Sequence, residues 1–146
     1  AALKIGDVCD EAGTVRGEVR LSAAQTKGTR ARTLYISTRL QREIGRYLGT
    51  LDATRRAQRD ARLFTSRNGR DFNANTICQA INAIYRRANI EGATSHTGRR
   101  TGITTLAHKG VTVRLLASIA GHRSINTTMR YIDVNDEQAR SAVEML

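Results

Sequence analysis

Four residues between Ser95 and Val134 have types suited to work together on a phosphodiester: His96, Arg99, His122 and Tyr131. A guanidinium such as Arg99 can grip two non-bridging phosphate oxygens at once, and imidazoles such as His96 and His122 can donate hydrogen bonds or shuttle protons near neutral pH. The Tyr131 phenol offers an oxygen nucleophile, but with a free pKa of about 10 it needs cationic neighbours or a base to react. The same stretch supplies both.

Holding four such groups in register requires short, well-terminated helices. Gly110 follows His108 and Lys109 where a helix stop is expected, and Gly121 follows the apolar positions Val113, Leu116, Ile119 and Ala120. These punctuation marks place the four polar residues at helix starts and ends.

His96-Thr97-Gly98-Arg99, then Gly121-His122 at twenty-three residues from Arg99 to His122, then Tyr131 nine residues later, resembles the catalytic signature of the tyrosine recombinases, or phage-type integrases. The frame Leu116-x-x-Ile119-Ala120-Gly121-His122-Arg123-Ser124-Ile125-x-Thr127-Thr128-x-x-Tyr131 is similar to the family's final block almost position for position. A lone tyrosine in a polar helix is ordinarily a surface residue, and a lone His96 an N-terminal hydrogen-bonding residue. It is the joint spacing that makes an active-site constellation.

The resemblance implies that Tyr131 attacks the scissile phosphate and forms a 3′-phosphotyrosyl bond, with Arg99 on the phosphate oxygens, His96 as acid and base, and His122 donating to the phosphate. It implies no metal and no other cofactor, guanidinium and imidazole groups taking the place of Mg²⁺, and no ATP, because the covalent intermediate keeps the bond energy. A first arginine is implied about five residues upstream of Ala1, so residues 1–146 are expected to be a single catalytic domain, truncated at its N-terminus, with a separate DNA-binding domain before it. Two positions depart from the pattern. Gly98 stands where the family commonly has Leu, which predicts looser packing beside Arg99, and Arg100 replaces a frequent second histidine, which adds positive charge near the phosphate.

Upstream, Val15, Val19 and Leu21 alternate with polar residues over Val15–Ala23, and Leu34 and Ile36 share a face of Arg32–Ser37, so two strands are predicted. The polar turn Gln25–Arg30 between them makes a hairpin, with Lys27 near its tip before Gly28. From spacing alone Lys27 is a solvated turn residue. The resemblance makes it the general acid that protonates the leaving 5′-oxygen, a task an ammonium can perform and a guanidinium cannot.

A helix capped by Thr38 is expected to Leu48, with Tyr47 in the core; the arginine-rich Gly49–Arg62 reads as a loop or frayed helix, either solvated or touching DNA. Leu63-Phe64 suggests a third short strand and Asn68-Gly69 a turn. Asn73 or Asn75 caps the clearest amphipathic helix, with Ile77, Ala80, Ile81, Ile84, Tyr85 and Ala88 on one face, broken at Glu91-Gly92. Ala1–Val8 begins in mid-pattern with no cap. Ala139, Ala142, Val143 and Leu146 follow a capping candidate, Asn135 or Asp136, and give a terminal amphipathic helix that either folds back or docks on a neighbouring protomer. The expected fold is thus α+β and mainly α-helical, the tyrosine-recombinase catalytic-domain fold with a small antiparallel sheet.

The chain carries 24 Lys and Arg against 13 Asp and Glu, a formal charge of +11. That suits a polyanion partner. The lysines are Lys4, Lys27 and Lys109; the other basic residues are arginines, a bias that bidentate phosphate contact or a GC-rich genome explains equally well. Cys9 and Cys78 fit no zinc spacing and read as reduced structural residues, and no metal cluster, P-loop, signal peptide or membrane-length apolar run is present in the sequence. The partners expected are double-stranded DNA with a specific recombination site and further copies in a homotetramer, in the cytoplasm of a bacterium or under phage or mobile-element coding. Two other readings remain: Val113–Ile132 as a helix-turn-helix without chemistry, with Ser124–Arg130 as its recognition helix, or an inactive recombinase fragment.

Overall fold

The computed structural model describes residues 2–26, 30–66, 68–132 and 136–145. Lys27, Gly28, Thr29, Val134, Asn135 and Leu146, named above, lie outside the described residues. The chain divides into two compact units, residues 1–80 and 81–146, the division falling inside a helix.

In the first unit, α1 (Ile5–Val8) is a single turn; the Asp7 carboxylate accepts from the Lys4 N–H at 2.8 Å, so the N-terminal segment does have a cap. β1 (Glu18–Leu21) pairs antiparallel with β2 (Arg32–Tyr35) in the register Val19 to Leu34, and a 3₁₀ turn at Ala23–Gln25 leads out of β1. The alternation read from the sequence survives: Val19 is buried and its neighbours Glu18 and Arg20 are exposed. α2 (Thr38–Gly49) is capped one residue earlier than expected, the Ser37 hydroxyl accepting from Leu40 N–H at 3.3 Å. An N-cap must lie outside the helical dihedrals, and Thr38 is already helical.

Gly49–Arg62 contains a further helix, α3 (Ala53–Ala57), capped by Asp52 through a 2.7 Å bond from Arg55 N–H. No third strand forms at Leu63-Phe64 among the described residues. Instead Leu63 N–H donates to the Leu3 carbonyl at 2.8 Å beside an isolated Lys4–Arg62 bridge, too short a pairing for a ladder. Gly6 N–H donates to the Arg59 carbonyl at 2.8 Å, and a Cβ on Gly6 would lie 3.1 Å from that oxygen, a tight approach. Ile5, Val8, Cys9, Val15, Val19, Leu48 and Leu63 form the core, with Tyr47 packed against it and its hydroxyl donating to Leu63 O at 2.9 Å. The Asn68-Gly69 turn is present, with Gly69 at φ +72°.

α4 (Ala74–Arg87) is capped by Asn73, whose Oδ1 accepts from Thr76 N–H at 2.8 Å. It ends sooner than Glu91-Gly92: Asn89 takes φ +55° and Ile90 N–H reaches back to Tyr85 O, a left-handed helix stop made with Asn. Its apolar face is less buried than the periodicity suggests, Ile84 being 63% exposed. The second unit then holds α5 (Thr97–His108), α6 (Val113–Ala120), α7 (Ile125–Met129) and α8 (Asp136–Val143), around a core of Ile103, Leu116 and Ala120 with Leu106, Ala107, Val111, Tyr131 and Ile132 against it. The apolar face expected on the tail is open, with Ala139, Ala142 and Val143 exposed.

Candidate active site

α5 begins in a reciprocal pair of bonds: Thr94 N–H donates to Thr97 Oγ1 at 2.8 Å and Thr97 N–H to Thr94 O at 2.9 Å. His96 occupies the N-cap position, yet its ring makes no capping bond and is exposed. The imidazole is therefore not consumed in starting the helix.

One turn on, Arg99 Nη1 donates to the Ala120 carbonyl at 3.3 Å. Ala120 is the last residue of α6, so the guanidinium meets the negative end of that helix, where the final carbonyls lack intrahelical donors. Gly98 does not leave a void beside Arg99, because the Tyr85 hydroxyl stands 3.3 Å from where its Cβ would be. The looser packing expected from glycine is filled by the neighbouring aromatic.

Gly121 closes α6 in the left-handed conformation, φ +70°, and His122 N–H returns to Ala117 O at 2.9 Å. This stop turns the chain sharply and presents His122 from a rigid corner. Its Nδ1 lies 2.8 Å from Thr128 Oγ1, and Thr128 is 0% exposed. α7 starts at Ser124, whose hydroxyl accepts from Asn126 N–H at 3.2 Å.

Tyr131 follows the end of α7. Its N–H donates to Thr128 O at 3.0 Å and its carbonyl accepts from Thr104 Oγ1 at 2.9 Å. The ring sits 6.0 Å from the His122 ring at 41°, with the Arg100 guanidinium 5.6 Å from its centroid. Arg99, His122 and Tyr131 are thus assembled by α5, the α6 corner and the end of α7, and His96 shares α5 with Arg99. Lys27 falls outside the described residues. Sequence reasoning missed Thr104 and Thr128, whose hydroxyls hold the main chain of Tyr131 and the ring of His122, and it did not foresee that the Arg100 guanidinium lies over the Tyr131 ring.

A model of the phage integrase family matches residues 1–138. The chain belongs to that family. A tyrosine recombinase XerA of Pyrococcus furiosus is 31% identical over 147 aligned positions, covering 97% of this chain and 46% of the relative. A XerC of Caldanaerobacter subterraneus subsp. tengcongensis is 30% identical over 120, covering 80% of this chain and 34% of the relative. The chain therefore spans less than half the length of these relatives. Among solved structures, a XerA recombinase superposes with a TM-score of 0.72 at 27% identity, over 99% of this chain and 49% of that one. The Tn1549 transposon integrase, in complex with a circular intermediate DNA, gives 0.70 at 20% identity over 99% and 55%, a likeness of fold. The integrase fold matches the mainly helical architecture with a small antiparallel sheet expected from the sequence.

Three arginines of Gly49–Arg62 bond main-chain carbonyls. Arg55 Nη2 donates to Arg62 O at 2.9 Å, Arg59 Nη1 to Asp10 O at 2.7 Å, and Arg62 Nη1 to Ala2 O at 2.6 Å. They staple the first unit's main chain, so part of the basic excess is structural. Asp60 forms an ion pair with Lys4 at 2.8 Å, which holds its carboxyl below the usual range. Among the described residues no group of His, Cys, Asp and Glu could hold a metal ion, and no helix is long and apolar enough to cross a membrane.

Proposed function

We propose that this chain is the catalytic domain of a site-specific DNA recombinase, cutting and rejoining strands through a 3′-phosphotyrosyl intermediate on Tyr131. The observation that carries the reading is the grouping at the end of α7: the Tyr131 ring 6.0 Å from that of His122, and Arg99 bonded to Ala120, two residues before His122. In the proposed cycle the Tyr131 oxygen attacks phosphorus, the bond to the 5′-oxygen breaks, and that oxygen leaves with a proton from Lys27. Arg99 and His122 hold the non-bridging oxygens, and His96 moves the phenolic proton. Rejoining is the reverse, a 5′-hydroxyl displacing the tyrosine.

Membership of the integrase family supports this assignment, as do relatives named as tyrosine recombinases. The formal charge of +11 favours a polyanion such as duplex DNA; the proposal adds a defined recombination site, a cytoplasmic setting and a homotetramer on DNA that would bring two duplexes together. The helix-turn-helix alternative has less support, since α7, at five residues, is short for a recognition helix.

The test is to incubate the protein with fragmented DNA from its source, denature, capture the protein-linked fragments and sequence them, with Tyr131→Phe alongside. Adducts lost in the variant, while duplex binding persists, are the expected result. Binding without any adduct, also after the upstream segment is restored, would leave a DNA-binding remnant.

A further inference from the structure

We propose that Arg100 and Thr104 of α5 are positioning residues for Tyr131, so that the helix carrying Arg99 also aims the nucleophile. The inference rests on the reading of Tyr131 as the attacking residue. Arg100 and Thr104 are four residues apart and therefore lie on one face of α5, next to the face on which Arg99 meets α6 and Ile103 is buried. Each holds a different part of the same residue. The Arg100 guanidinium stands 5.6 Å from the Tyr131 ring centroid, within cation–π range, and Thr104 Oγ1 donates to the Tyr131 carbonyl at 2.9 Å.

A threonine within a helix usually turns its hydroxyl to the carbonyl a turn earlier. Thr104 instead gives its single proton to Tyr131, just past the end of α7, where carbonyls lack helical donors. The Tyr131 N–H is already bonded to Thr128 O, so both main-chain groups of the tyrosine are fixed and the ring has a flat cationic neighbour. What remains adjustable is rotation about the side-chain bonds, which the guanidinium limits. A misplacement of about 1 Å costs on the order of 10²-fold in rate, so a loosened tyrosine should bind DNA normally and react slowly.

Thr104→Val removes the hydroxyl without changing charge, and Thr104→Ser restores it. In single-turnover assays on a nicked duplex at saturating protein, Thr104→Val and Arg100→Ala should form the covalent adduct about 10- to 100-fold more slowly, with Thr104→Ser near wild type. The duplex Kd of Thr104→Val should stay within about threefold. Wild-type adduct rates in both Thr104→Val and Arg100→Ala would overturn the proposal, as would a Thr104→Ser that folds normally by circular dichroism yet remains as slow as Val. A second readout does not need strand cleavage: nitration of Tyr131 by tetranitromethane, followed by peptide mass, should accelerate in Thr104→Val, which leaves the charge beside the phenol unchanged. Unchanged nitration in Thr104→Val would overturn the clamp even if no adduct is ever seen, whereas faster nitration with no wild-type adduct, also after the upstream segment is restored, would keep the clamp and refute the enzyme reading.

Discussion

His122 Nδ1 lies 2.8 Å from the hydroxyl of Thr128, a side chain with no solvent exposure. With Thr128 donating, the neutral imidazole carries its proton on Nε2. Nitrogen NMR of the neutral ring should therefore show the Nε2–H tautomer in the wild type and a mixture in Thr128→Val. That variant keeps the shape of the buried residue and loses one hydrogen bond, so stability should fall by about 1 kcal/mol while adduct formation slows about 10- to 100-fold. Thr128→Ser should recover most of both. A valine variant with wild-type tautomer and rate would show that the hydroxyl only fills space.

Arg99 offers a second test, because it has a planar fork and its helix-end contact uses only one nitrogen. Arg99→Lys keeps the charge and loses the paired donors, and removing one such preorganised donor ordinarily costs about 10² to 10³ in rate. Adduct formation should drop by that range in Arg99→Lys, with duplex affinity changed far less than turnover. Equal losses in affinity and rate would place Arg99 in binding rather than in transition-state stabilisation.

The site was legible where local rules fix it. Gly110 and Gly121 terminate α5 and α6 as their positions in the sequence suggest, and both take positive φ. β1 and β2 follow the period-two pattern for the same reason: one half-buried face imposes it. Thr104 and Thr128 were not legible, since a threonine's partner is chosen by tertiary approach and leaves no period in the chain. The N-cap fell on Ser37 instead of Thr38 because two adjacent hydroxyls offer the same chemistry and only the backbone dihedral separates them. The arginines of α3 and its neighbours were ambiguous for a related reason. A guanidinium that binds phosphate and one that staples carbonyls look alike until the carbonyls are in place.

The two cysteines should differ sharply in reactivity. Cys9 is 2% exposed in the first unit's core, and burial pushes its thiol above the ordinary value, with Asp10 adding to the effect; Cys78 is half-buried on α4. Only the thiolate reacts, so at pH 8 iodoacetamide should modify Cys78 well before Cys9, which reacts through opening of the core. Because folding raises the Cys9 value, its contribution to stability is complete below the ordinary thiol range and is lost as pH rises through the folded value. Peptide mass mapping over time reads the order, and faster labelling of Cys9 would contradict the packing of that core.

Gly121 and Gly110 separate a helix stop that serves stability from one that also serves the site. Both hold left-handed dihedrals, φ +70° and +79°, and an alanine forced into either costs about 1 kcal/mol. Thermal unfolding should therefore register similar losses for Gly121→Ala and Gly110→Ala. Their effects on chemistry should diverge, because Gly121 sets the corner from which His122 reaches Thr128, whereas Gly110 leads into α6 through Val111 and Thr112. Relief of the strain in Gly121→Ala must rotate the peptide that precedes His122, moving the ring away from Thr128. We expect adduct formation to fall at least tenfold in Gly121→Ala and to remain near wild type in Gly110→Ala below the melting transition. Equal adduct rates in the two variants would mean that His122 does not depend on the corner for its placement.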